Sequence, residues 1–285
     1  VSPGDEVIMF DPSYDAYDPI VRLAGGIPIH IPLKASNKFA IDWSALASKI
    51  NPRTRAIMVN SPHNPTGAVW SMEDLDAFVE IVKGTNILIV SDEVYEHIVF
   101  DGAQHASVLL HPELRKRSFV CGSFGKTYHI TGWKIGYCIA PKALSAEFRK
   151  VHQYNTFCSF APAQWAFAEM IVQQPGHYAE LGDFYAAKRD YLAAKLARTR
   201  FKPLPVPGGY FQLVDYSAIS DLPDAEFARW LCTEKGVAAI PLSPFYQEPP
   251  RLTLLRVCLA KHDATLDAAT TQLLHFAGNM QRLGL

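Results

Sequence analysis

The sequence predicts an α/β protein: a mixed, mostly parallel sheet flanked by helices, followed by a smaller α+β unit. Three observations carry that expectation. Apolar runs of five to seven residues recur through the first half with helix-like segments between them, the alternation of strands joined by crossovers. Unusual polar residues gather directly after those runs, where an open parallel sheet binds ligands. Beyond residue 175 the texture changes to a long helical period and then scattered strand-like runs. The expected division is therefore residues 1–175 and 176–285.

Taken in order, the strand candidates are EVIMF (6–10), IPIHIPL (27–33), RAIMVN (55–60), NILIVSD (86–92), SFVCGSF (118–124) and KIGYCIA (134–140). Between the third and fourth lies SMEDLDAFVEIVKG. Its Ser71 stands three residues before Asp74, a capping-box start, and it closes on Gly84, so a crossover helix is expected there. In the second half, HYAELGDFYAAKRDYLAAKLART and DAEFARWLCTEKG read as helices, and GGYFQLVDY and LLRVCLA as strands.

Composition narrows the function classes. The chain has 285 residues, 49% of them hydrophobic, and 27 basic against 28 acidic residues give a net charge of -1. That balance leaves no electrostatic footprint for nucleic acid or an anionic membrane. Small molecules or copies of the chain are the expected partners. Cys121, Cys138, Cys158, Cys232 and Cys258 form no CxxC pair and no zinc-like spacing with histidine, so no metal site is expected and the thiols read as reduced. No apolar run approaches a bilayer span and the start is not signal-like; the expected location is cytoplasmic.

Four strand ends carry the chemistry: DPSYDAY after the first run, SPHNPTG after RAIMVN, DEVYE after NILIVS, and FGKTYH after SFVCGS. Each residue has an ordinary reading when taken alone. Asp92 could cap a helix, Lys126 could be a solvated loop lysine, Asn64 a turn former and Tyr14 a core aromatic. FGK lacks the spacing of a phosphate loop. Together, however, a carboxylate, a lysine, an amide, an aromatic ring and hydroxyls at one sheet edge are the set that a pyridoxal phosphate site requires.

The motifs SFGKTYHITGWKIGY, NSPHNPTG, SDEVYEHI, DPSYDAY and LLRVCLAK together resemble the fold-type I, class I/II aminotransferases. The likeness runs over essentially the whole chain and is nearest to the branch of methionine, kynurenine and glutamine (K) transaminases. It implies a homodimer using pyridoxal 5'-phosphate. By resemblance, Lys126 bonds the cofactor and acts as the base, Asp92 pairs with the pyridine nitrogen, and Asn64 and Tyr95 bond the ring hydroxyl. Tyr14 stacks on the ring, Ser123 and Lys134 hold the phosphate, and Arg256 holds the substrate carboxylate with a planar fork that lysine lacks. Phe157 either reaches toward the partner subunit or packs in the core.

In that family a glycine-rich phosphate loop precedes the counterpart of GDEV, whereas this chain enters a strand a few residues after VSPGDEV. The N-terminal part of the large domain is expected to be missing, with weak cofactor binding and poor folding of the 285 residues alone. Amino-group transfer from methionine, glutamine or aromatic amino acids to a 2-oxo acid, with ping-pong kinetics, is the expected activity. A cysteine-S-conjugate β-lyase on the same scaffold and an aminotransferase-like sensor domain of a transcription regulator stay open as alternatives.

Overall fold

A computed structural model describes residues 1–274, which form ten strands and ten α-helices. The order is β1 (Glu6–Asp11), α1 (Tyr17–Leu23), β2 (Ile27–Pro32), α2 (Trp43–Lys49), β3 (Thr54–Asn60), α3 (Met72–Val82), β4 (Leu88–Asp92), α4 (Pro112–Arg115), β5 (Ser118–Ser123), α5 (Phe124–Thr127) and β6 (Gly136–Ile139). There follow α6 (Lys142–Asn155), α7 (Ala161–Gln173), α8 (His177–Leu196), β7 (Lys202–Pro203), β8 (Phe211–Asp215), α9 (Asp224–Lys235), β9 (Ile240–Pro241), β10 (Leu254–Cys258) and α10 (Asp263–Leu273). Residues 275–285, the end of the expected second unit, lie outside the described residues.

The large sheet has the order β2-β1-β3-β4-β5-β6, parallel from β2 to β5 with β6 antiparallel. Burial explains the order. Every residue of β1 is buried, as a strand covered on both faces must be. β2 carries Pro28 and Pro32, which cannot donate to a ladder and are tolerated at an edge. A capping box holds the start of α3: the Ser71 hydroxyl accepts from the Asp74 N–H and the Asp74 carboxylate accepts from the Ser71 N–H. On the buried face of this helix, Phe78 packs against Trp43 and Trp70. It is fully buried, so cutting it to alanine costs about 3–5 kcal/mol.

The small sheet, β7-β8-β10-β9, is antiparallel. Gly236, with a φ of +65°, ends α9 beside it. One core runs beneath the large sheet through Ile8, Ile57, Leu75 and Ile89 and takes in Leu213 and Leu254 of the small sheet. A second joins Tyr95, just after β4, to Tyr185 of α8 and to Tyr210, Tyr216 and Leu255 around the small sheet. The two sheets therefore meet through aromatic side chains at the end of β4.

Candidate active site

Register sets the first layer of the site. Parallel pairing aligns Asn60 with Asp92, and Asp92 with Cys121, so the last residues of β3 and β4 and the Cys121 position of β5 form a row near the carboxyl edge of the sheet. The Asn60 side chain ties the row together. Its amide donates to the Asp92 carbonyl at 2.8 Å, and its oxygen accepts from the Asn64 N–H at 2.7 Å. Sequence reasoning passed over Asn60. The available signal was a polar amide ending an apolar run four residues before Asn64.

The carboxyl group of Asp92 takes a hydrogen bond from the Tyr17 hydroxyl and a longer one, 3.3 Å, from the Val94 N–H. Burial pushes its pKa above the usual carboxylate range, and the Tyr17 bond opposes that push. Burial and the neighbouring Asp92 in turn raise the Tyr17 phenol well above its ordinary value. Tyr17 is the last residue of the DPSYDAY motif. A tyrosine in a short helix between two strands reads as core, and only the fold turns its hydroxyl onto the β4 end.

Lys126 sits in α5, the single turn that follows β5. Its Nζ lies 3.1 Å from the Tyr210 hydroxyl and 5.6–5.7 Å from the centroids of the Tyr210 and Tyr95 rings. Those rings meet edge to face at 5.0 Å. Burial, then the nearby Tyr210, raises the Tyr95 phenol far above its ordinary value.

Arg256 enters from the small sheet. Its Nη1 donates to Asn64 Oδ1 at 2.6 Å, and its guanidinium lies 4.1 Å over the Phe211 ring and 5.0 Å from that of Phe245. Burial lowers its pKa from the ordinary value, and an arginine keeps its charge despite such a shift. Behind Asn64, the His63 imidazole is buried and bonded through Nδ1 to Thr66 Oγ1 at 2.7 Å. Burial drives its pKa down to about 4.

The structure thus brings Asp92, Asn64, Tyr95, Lys126 and Arg256 into one connected group. Ser123, Lys134 and Tyr14 stand apart. Ser123 is half-buried at the start of α5, and its hydroxyl caps nothing there. Lys134 is exposed, in a left-handed conformation with a φ of +56°. Tyr14 is 43% exposed and touches the group through Tyr17, at 5.5 Å between ring centroids. Phe157 is 71% exposed, which overturns its reading as a core residue. A cavity of about 780 Å³ is lined by Tyr17, Asn60 and His63 but not by Lys126, Asp92 or Arg256, so it lies behind the row rather than over the reactive groups.

Among the described residues no cluster could hold a metal ion. The groups present are an amine, which can capture a carbonyl, a half-buried carboxyl, which can pair with a protonated nitrogen, and a guanidinium held by an amide, which can clamp a carboxylate.

Comparison with known proteins gives a consistent picture. The profile of the family described as Aminotransferase class I and II matches residues 1–273. The chain is 52% identical over 273 residues to a methionine aminotransferase of Escherichia coli K12, covering 96% of this chain and 70% of that protein. It is 33% identical to kynurenine–oxoglutarate transaminase 1 of Mus musculus, covering 99% of this chain and 74% of that one. Among solved structures, YbdL of Escherichia coli, identified as a methionine aminotransferase, superposes with a TM-score of 0.94 at 51% identity, over 96% of this chain and 72% of that chain. The N-succinyldiaminopimelate aminotransferase of Mycobacterium tuberculosis superposes at 0.92 and 38% identity, over 97% and 73%.

Proposed function

The chain belongs to the class I and II aminotransferases, and from that membership we propose that it moves the amino group of methionine to a 2-oxo acid with pyridoxal 5'-phosphate bonded to Lys126. It is a transaminase, and enzymes of this class act on small amino and 2-oxo acids. The likeness to the methionine aminotransferase of Escherichia coli carries the choice of methionine. Glutamine and aromatic amino acids are the neighbouring donors. Neither the β-lyase nor the regulator alternative has an observation in its favour.

The side chains present fit the cofactor. Asp92 is a half-buried carboxyl that accepts from a neutral phenol and one backbone N–H but makes no ion-pair contact among the described residues, which leaves it free to hold a proton-bearing ring nitrogen. Lys126 offers an amine whose partner is a neutral hydroxyl. When bound, pyridoxal phosphate supplies an electron-accepting ring that lets the Cα–H bond of an amino acid ionise. The work of the chain follows from that. Asp92 keeps a proton on the ring nitrogen, with Tyr17 bracing the carboxylate. Arg256, oriented by Asn64, grips the substrate carboxylate through its planar fork. Lys126 would hold the cofactor through its amine and, as a free amine, would take up the proton from substrate Cα. Tyr95 and Asn64 would bond the ring hydroxyl, Tyr14 would cover the ring, and Ser123 and Lys134 would take the phosphate.

The reading includes a homodimer and a cytoplasmic location. Trp165 of α7 is 77% exposed and Tyr154 of α6 is 91% exposed, an apolar surface of the kind that interfaces bury. Free cysteines suit a reducing compartment, and no helix among the described residues is long and apolar enough to cross a membrane.

Absorption spectroscopy tests the assignment. The purified protein with pyridoxal phosphate is expected to show a visible band that methionine bleaches and a 2-oxo acid restores, and Lys126→Ala is expected to lack it. A band that survives in Lys126→Ala, or stronger bleaching by aspartate than by methionine, would overturn the reading.

A further inference from the structure

The structure assigns to Tyr210 the role of positioning residue for Lys126, an inference that rests on the reading of Lys126 as the reacting amine. Among the described residues, the Tyr210 hydroxyl is the group within hydrogen-bond reach of Nζ, at 3.1 Å. The phenol is held independently of the lysine. Its ring is buried and lies between those of Tyr95 at 5.0 Å, Phe211 at 4.7 Å and Tyr185 at 5.8 Å.

The backbone leading to Tyr210 is anchored from both sides. Gly209 N–H donates to the Ile98 carbonyl at 2.8 Å, Phe100 N–H to the Pro207 carbonyl at 2.8 Å, and Gly208 N–H to the Gly67 carbonyl at 3.1 Å, which fastens the segment to the loops that follow β3 and β4. A Cβ on Gly208 would lie 2.7 Å from Val69 Cγ2 and 2.9 Å from the Ile98 carbonyl, so glycine is what permits this crossing. On the other side, the Tyr210 carbonyl accepts from Leu259 N–H at 2.8 Å, directly after the strand that carries Arg256.

Two consecutive residues thus serve two functional groups: the Tyr210 hydroxyl meets Lys126, and the Phe211 ring lies under Arg256. A lysine freed from a covalent bond has a long, rotatable stem. A fixed hydroxyl keeps its amine near the spot where substrate Cα is presented, and Phe211 sets where the substrate carboxylate sits. Tyr210 undergoes no net proton change. It holds Nζ while Lys126 takes the proton from Cα and passes it on.

The test compares Tyr210→Phe, which keeps the ring and removes the hydroxyl, with Tyr185→Phe, a buried neighbour whose hydroxyl bonds to His129. Two readouts are used on both. The first is the rate, across pH, at which apoprotein forms the visible band on mixing with pyridoxal phosphate. The second is the isotope effect with α-deuterated methionine. Tyr210→Phe is expected to capture cofactor about tenfold more slowly with an altered pH profile, to lose about tenfold in kcat with little change in KM, and to show a larger isotope effect. Tyr185→Phe is expected to match the unaltered protein. Wild-type capture rates and isotope effect in Tyr210→Phe would overturn the inference. Should that variant fail to melt cooperatively, 4-fluorophenylalanine at position 210, which fills the place of the hydroxyl without donating a proton, replaces it; wild-type capture rates and isotope effect there have the same meaning. Lys126→Ala separates the premise: if it keeps the band, the reading of Lys126 fails, and if it loses the band while Tyr210→Phe is unaffected, only the role of Tyr210 fails.

Discussion

The two ends of the candidate site differ in how far they are built before any ligand arrives. At the β4 end, Asn60, Asn64, Asp92, Tyr17 and Arg256 are joined by short hydrogen bonds that cross from sheet to sheet. At the α5 end, Ser123 and Lys134 are half-buried or exposed, and no side-chain bond of theirs links them to the rest among the described residues. The contrast has a physical basis. Buried polar groups must be paired in the folded protein whether or not a ligand is present, so the β4 end is fixed by folding itself. Groups that meet a charged phosphate can wait in water at little cost. Under the proposed assignment the β4 end serves both stability and chemistry, whereas Ser123 and Lys134 serve mainly affinity.

The largest expected effect lies between the two ends. Lys126→Ala should lower transamination at least about 10⁴-fold, since it removes both the bonding amine and the base, while leaving the denaturation midpoint nearly unchanged. A large loss of stability would mean that Lys126 belongs to the structural half.

Acid should dismantle the β4 end first. In the unfolded chain the His63 imidazole takes up its proton near the ordinary value of 6.5, but in the folded chain only near 4. Stability is therefore lost as pH falls through that window, by about 3 kcal/mol if the shift is realised in full. Denaturant titrations at pH 7, 5.5 and 4 on the protein and on His63→Gln measure the difference; identical slopes for the two would remove His63 from the comparison.

Arg256→Lys is next. Losing the fork should cost about 100-fold in kcat/KM for methionine, the worth of one strong charge-assisted hydrogen bond. The loss should appear mostly in KM. Equal losses with a substrate amine that lacks the carboxylate would argue against the clamp.

The smallest effect is expected at the open end. Lys134→Ala should weaken pyridoxal phosphate binding about tenfold and shift stability by less than about 0.5 kcal/mol, as exposed substitutions do. Fluorescence titration alongside thermal melts checks both, and a marked stability loss there would erase the distinction between the ends.

Much of this was legible along the chain. The six strands of the large sheet were readable because each is a short apolar run closed by polar or turn residues, and the capping box of α3 and the glycine ending α9 are local signals. Lys126 and Asp92 stood out because a charge beside apolar residues is costly unless used; Asn64 stood out by its company at the same sheet edge, and Arg256 by the resemblance of its motif. The two-residue strands β7 and β9 were not readable, since so short a ladder owes its form to its neighbours. Tyr17 and Tyr210 were also hidden: a tyrosine in an apolar setting looks the same whether its hydroxyl meets water, a carboxylate or an amine. Phe157 had two readings, and its exposure removes only the one that packed it in the core.

The sequence by itself determined the elements and the chemical inventory, because periodicity, caps and strand-end polarity act over a few residues. Only the tertiary structure decided which groups meet. Arg256 reaches Asn64 across 192 positions, and Lys126 reaches Tyr210 across 84. Such pairings depend on strand register and on the packing of two cores against each other, which no local pattern encodes.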